Sequence, residues 1–214
     1  MSSRKIMWLV PAILYLAFCF WYTNTAGPLS DEEIATFTTQ MQSSGFQSAQ
    51  IARMRTFMEQ DTGRQFLMVN NLDMAETPRP VAGAAPDESA DQVMSRYMEH
   101  MWPELIKRAS HPIFMGNAVF DAMDLVGIKG AESWDRAALF RYRSRRDLLE
   151  IASNPAFSGK HDFKSAALDK TIAYPVETQL YLSDPRFILL LIHFISFRQS
   201  QPYIRFVVLK VDSF

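Results

Sequence analysis

An α+β fold is expected for most of this 214-residue chain, with one antiparallel sheet carrying its helices on one face. Three observations lead there. Beyond Arg64, strand-like and helix-like segments follow one another in the order β-α-β-β-α-β. The last strand candidate contains Pro175, which cannot donate a ladder hydrogen bond and so belongs on a sheet edge. The first and third strand candidates carry apolar residues at both parities, Phe66 and Met68 against Leu67 and Val69, and Phe140 against Leu139.

The chain opens with residues 1–5, which include Arg4 and Lys5. They precede "IMWLVPAILYLAFCFWY" (Ile6 to Tyr22), 17 residues without a charge. As a helix this run is about 25 Å long, near the lower limit for crossing a bilayer. A signal-peptidase site needs small residues where Phe18, Phe20, Trp21 and Tyr22 stand. Residues 6–22 are therefore expected to form an uncleaved transmembrane anchor with Trp21 and Tyr22 at an interface. Basic residues before the run and Asp31, Glu32 and Glu33 after it place residues 1–5 in the cytoplasm. The folded domain is then extracytoplasmic, in a membrane protein of one or two passes with the lipid bilayer as a partner.

Residues 30–62 read as a helical adaptor of two helices. Ser30 with Glu33 three positions on is a capping box, and Ile34, Phe37 and Met41 recur at helical spacing. Gly45 interrupts the pattern. Ile51, Met54, Phe57 and Met58 resume it as far as Gly63, placed to end a helix. Methionines at this spacing point to core packing before a soft-metal surface.

Residues 64–177 supply the sheet domain. "RQFLMVNNLDM" reads as the first strand and residues 76–89, rich in Pro, Ala and Gly, as a surface loop. Val93, Tyr97, Met101 and Leu105 share one helical face, with Pro103 expected to bend or split that helix. "HPIFMGNAVFDAMDLVG" contains the second strand, with a bulge or close approach at Gly116. "DRAALFRY" is the third strand, "SRRDLLEIA" and "NPAFSGKHDFKSAALDK" are helical, and "TIAYPV" is the fourth strand. This is the ferredoxin-like, split β-α-β plan. Its helices cover one sheet face, so apolar residues on the other face call for a second copy, packed sheet to sheet as a homodimer.

The tail, residues 178–214, contains Phe187 to Phe197 without a formal charge, about 17 Å as a helix and too short to span alone. A re-entrant, interfacial or truncated span is expected. His193 would be costly in lipid, and Arg198, Arg205 and Lys210 would face the cytoplasm if the run crosses. "YIRFVVLKV" has strand-like composition.

Composition narrows the function classes. A formal charge of −1 offers no field for nucleic acid. The lone cysteine, Cys19, excludes an intramolecular disulfide framework and a cysteine-based zinc site. His100 and His111 lack helical metal-ligand spacing. No metal site, nucleophile triad or phosphate loop stands out, and no cofactor is called for by the residues themselves.

"RAALFRYRSRRDLLEIASNPAF", His161 and "AALDKTIAYPVE" together resemble small uncharacterised domains of the dimeric α+β barrel superfamily. The shared features are a strand ending in Arg-Tyr, a Ser-Arg-Arg helix start, an Asn-Pro-x-Phe turn, a His-containing helix and a final Thr-x-x-x-Pro strand. The resemblance covers residues 64–177 and implies the fold and the homodimer; it does not fix a chemistry. Haem-degrading members use an Asn near the bound oxygen, a Trp, and a His as axial iron ligand. The resemblance thus implies Asn70 or Asn71, Trp134 and His161 as candidate ligand-binding residues and haem as an alternative cofactor. The plainer reading leaves His161 on a helix surface and Trp134 in the core.

A second candidate is the basic cluster Arg141, Arg143, Arg145 and Arg146 at the junction of the third strand and a helix capped by Ser144. Guanidinium groups and free helix N–H groups there can grip an anion. Asp135, Asp147 and Glu150 are near enough in sequence to pair with the arginines instead. Two functions remain open: a binding or interaction module without catalysis of its own, or a monooxygenase-like oxidoreductase acting on haem or an apolar organic substrate.

Overall fold

The computed structural model describes residues 3–157 and 159–199 of the protein. Along the chain run α1 (Ser3–Tyr22), α2 (Asp31–Ser43), α3 (Ser48–Glu59), β1 (Phe66–Met74), α4 (Ala90–Lys107), β2 (His111–Asn117), β3 (Arg136–Tyr142), α5 (Arg145–Ala152), a 3-10 turn (Pro155–Phe157), α6 (His161–Ala166), β4 (Leu168–Val176) and α7 (Pro185–Gln199). They divide into two units, Met1–Thr23 with Gln179–Phe214, and Asn24–Thr178.

In the first unit α1 packs on α7. The Tyr15 hydroxyl donates to the Arg186 carbonyl at 3.2 Å, and the Arg186 guanidinium donates to Thr23 Oγ1 at 2.9 Å while lying 5.2 Å over the Tyr22 ring. Among the described residues no helix is long and apolar enough to cross a membrane. That finding overturns the transmembrane anchor at residues 6–22 and, with it, the membrane location and the extracytoplasmic placement of the folded domain. The physical reason lies in the uncharged part of α1: Arg4 and Lys5 fall inside the 20-residue helix, and the 17 uncharged residues that remain reach about 25 Å, short of a hydrocarbon layer of about 30 Å. Helix α7, with 15 residues, is shorter still. "YIRFVVLKV", Arg205 and Lys210 lie outside the described residues.

In the second unit the sheet order is β2-β3-β1-β4, with every neighbouring pair antiparallel. This is the order of the split β-α-β plan, with β1 and β3 central. Pro175 sits on edge strand β4 opposite Met68, where its missing N–H breaks no interior ladder. The register shift in β2 falls between Pro112 and Phe114 rather than at Gly116. Gly116 is a close approach instead: the tip of the half-exposed Phe114 ring lies over it, 2.9 Å from where a Cβ would stand. Pro103 neither ends nor splits α4, which runs unbroken from Ala90 to Lys107. The second helical region is shorter than its sequence suggests, a 3-10 turn followed by the six-residue α6, and β4 starts at Leu168, ahead of Thr171.

One sheet face is covered by helices. Phe66 and Tyr142, cross-strand partners, stack at 5.3 Å and join Met101 and Leu105 of α4 and Ile151 of α5 in the main core. Val93 of α4 packs on Phe163 and Ala166 of α6. The capping box at Ser30 and Glu33 starts α2, whose Ile34, Phe37 and Met41 bury with Met58 of α3 and Leu149 of α5. Helices α2 and α3 therefore share a core with the sheet domain. The opposite sheet face presents Val69, Leu139, Ile172 and Tyr174, the last two exposed.

Candidate functional site

Strand alternation puts Met68, Asn70, Leu72, Ala138, Phe140 and Tyr142 on the helix-covered face. Between this floor and helices α4, α5 and α6 lies a cavity of about 560 Å³. That volume lies in the range of small-molecule sites, which are apolar with a few placed polar groups. Four methionines, Met68, Met94, Met98 and Met101, line it together with Leu105, Phe140, Leu148 and Ile151. Flexible thioethers adapt to an irregular apolar guest.

The polar lining is sparse and uneven. On the floor, buried Asn70 donates to the Met68 carbonyl at 3.0 Å and the Ala138 carbonyl at 3.4 Å, so its amide N–H groups are committed to backbone. His161 stands exposed at the rim, its ring edge-on to Tyr97 at 6.0 Å. Packed against Tyr97, the His161 ring loses part of its hydration, and this, reinforced by the positive Lys164, lowers its pKa. Burial also lowers that of Lys164, which lines the cavity one turn further along α6. The Tyr97 phenol is pushed up to about 12 by burial, and Tyr142 is raised as well for the same reason. His100 and Lys160 complete the basic lining.

Of the residues singled out in the sequence, Asn70 and His161 meet at this cavity. Asn71 points to the other sheet face, and its backbone carbonyl accepts from Thr171 Oγ1 at 2.9 Å. Trp134 is not among the lining residues; its indole N–H donates to the Ala131 carbonyl at 3.0 Å, and Lys170 lies 5.1 Å over its ring. The Asn, Trp and His of the haem-degrading pattern are therefore not brought together, and these residues do not fit a haem held in that way.

The arginine cluster is occupied from within the chain. Arg141 is fully buried, donating through Nε and Nη2 to Gln65 Oε1 at 2.9 and 2.7 Å and through Nη1 to the Ala109 carbonyl. Arg143 forks onto buried Asp147 at 3.0 and 2.6 Å, and Ser144 Oγ accepts from the Asp147 N–H at 3.1 Å to cap α5. Arg145 lies 4.4 Å over the Phe57 ring and donates to the Phe57 carbonyl. Arg146 forks onto Glu33 and reaches the Pro28 carbonyl at 3.1 Å. The cluster ties the β3–α5 junction to the α2–α3 segment.

Tyr97, Met98 and Lys164 also line the cavity, and nothing in the sequence marks them as site residues. Tyr97 was visible only as one of an apolar helical face, and Lys164 only as the residue three positions after His161.

Fold and site define an α+β domain with a mostly apolar cavity between its sheet and its helices. No family model matches the chain, and no curated protein matches it. Among solved structures it is similar to the RPA0582 protein of unknown function from Rhodopseudomonas palustris, at 17% identity and a TM-score of 0.49 over 63% of this chain and 95% of that one. The structure of methylated RPA0582 protein matches at 15% identity and a TM-score of 0.50 over 64% of this chain and 95% of that one. At that identity the second likeness speaks to the fold alone.

Proposed function

We propose that this protein is a binding module without catalysis of its own, a homodimer that takes an apolar organic molecule into the cavity between sheet and helices. The observation that carries the reading is the cavity of about 560 Å³ walled by methionine, leucine and aromatic side chains. Binding is favoured over chemistry because Asn70 is spent on backbone carbonyls and His161 packs against an aromatic edge. An oxidoreductase acting on the same apolar guest is the second reading, supported by Asn70 and His161 sharing the cavity. The homodimer is supported by the exposed apolar face at Ile172 and Tyr174 and by Phe114 at the other edge.

The test is a neutral fluorescent guest, N-phenylnaphthylamine, titrated into the full chain. Saturable enhancement is expected, and Met98→Trp, which fills the cavity from α4, should remove it while circular dichroism and melting temperature stay near wild type. Absence of saturable binding to the wild-type chain overturns the reading.

A further inference from the structure

The charged side chains that line the cavity are lysines. Lys160, Lys164, His100 and His161 line it, and no Asp or Glu among the described residues does. This differs from the cations elsewhere in the same unit, where Arg96 pairs with Glu88, Arg136 with Asp91 and Arg143 with Asp147. Lys160 lies 5.8 Å over the Phe163 ring. Lys164 is half-buried and has no ion-pair partner among the described residues. A partly desolvated ammonium without a counter-charge is an unfavourable arrangement, one that an anionic guest would relieve. His161 and Lys164 are three residues apart on α6, hence neighbours on one side of it. The Tyr97 ring meets His161 at the same place. The two lysines and His161 are thus gathered at the α6 side of the cavity, while Ser44 and Gln50 line it from the α2–α3 segment and thioether, aliphatic and aromatic side chains make up most of the rest.

Resting on the reading of the cavity as a binding site, we propose that its ligand is an amphipathic organic anion, a medium- or long-chain carboxylate. Its head group sits between Lys164 and His161, and its tail lies along Met68, Met98 and Phe140. The ammonium and the imidazole N–H donate to the carboxylate, and a charge-assisted hydrogen bond of this kind is about twice as strong as a neutral one.

Three probes with the same tail separate head group from cavity: dodecanoate, dodecanol and dodecyltrimethylammonium, each titrated calorimetrically into the full chain below its micellar range. Dodecanoate is expected to bind at least about tenfold tighter than dodecanol, and the ammonium probe weakest. Lys164→Gln should bring dodecanoate to within about twofold of dodecanol while dodecanol itself binds as before. Lys164→Arg, which keeps the charge, should retain the preference. Equal affinity of the wild type for dodecanoate and dodecanol, or a preference that survives Lys164→Gln, overturns the anion proposal and leaves the apolar cavity standing. Failure of dodecanol, dodecanoate and N-phenylnaphthylamine alike overturns both.

Discussion

Ala109 holds φ at 51°, the one non-glycine residue with a positive φ among the described residues. It follows α4, and the bonds from the Ala109 N–H to the Ile106 carbonyl at 3.0 Å and from the Ser110 N–H to the Leu105 carbonyl at 2.8 Å close a Schellman motif. Glycine is the usual residue there, since a left-handed L-residue costs about 1–2 kcal/mol. Here the buried Arg141 guanidinium, placed by β3, donates to the Ala109 carbonyl and sets a cation at the helix C-terminus. Ala109→Gly relieves the backbone but removes a buried methyl worth about 0.8 kcal/mol, so it should stay within about 1 kcal/mol of wild type. Ala109→Val adds a branched side chain to a left-handed, close-packed site and should lose about 2 kcal/mol or more. Urea denaturation decides; a valine variant as stable as wild type would mean that the turn carries no strain. Arg141 was legible in the sequence as part of a cluster but not as a buried strut. Its partners Gln65 and Ala109 are 76 and 32 positions away, and only the β1–β3 and β2–β3 pairings bring them near.

The junction of β3 with α5 is held to α2 by charge. Glu33 closes the capping box of α2 and also receives the Arg146 fork. That hydrogen bond, with the Ser30 N–H behind it, lowers the Glu33 pKa from 4.5 to about 2. The folded chain therefore binds this proton less readily than the unfolded chain. Its contribution is fully present above pH about 4.5 and is lost as pH falls toward about 2. Glu33→Gln should lower the urea midpoint at neutral pH and flatten part of its fall across that acid window. A slope identical to wild type would show that the pair does not couple to folding. Solvent access to Glu33 keeps the effect modest. The elements themselves were readable where a local rule dominates: the Ser30 box, the face of Val93, Tyr97, Met101 and Leu105, and Pro175 on an edge. They were not where tertiary packing dominates. Pro103 is absorbed in α4, whose Met101 and Leu105 are fixed against the sheet, and α6 is cut to six residues because β4 begins at Leu168 to pair with Met74. The cavity was invisible for a related reason: its lining runs from Ser44 to Ala173 and exists only once the sheet is laid under the helices.

A four-stranded sheet with helices on one face leaves its other face to be explained. Ile172 and Tyr174 of β4 and Phe114 of β2 are exposed there, beside Val69 and Leu139 of the central strands. The β2–β3 connection adds Val119 at 97% and Met123 at 93% exposure. Exposed apolar side chains gathered on one sheet face favour an interaction site. The homodimer proposed above covers it with the same face of a second copy, an arrangement that needs about 800 Å² from each partner. In sedimentation equilibrium the full chain is expected to behave as a dimer. Ile172→Lys places a charge within the proposed contact at an exposed position of edge strand β4, so the folded protomer should change by no more than about 0.5 kcal/mol. The variant should sediment as a monomer and still bind N-phenylnaphthylamine, because the cavity lies on the opposite side of the sheet. A wild-type chain that stays monomeric at concentrations where it is well folded overturns the dimer, and a lysine variant that remains dimeric moves the contact away from this face.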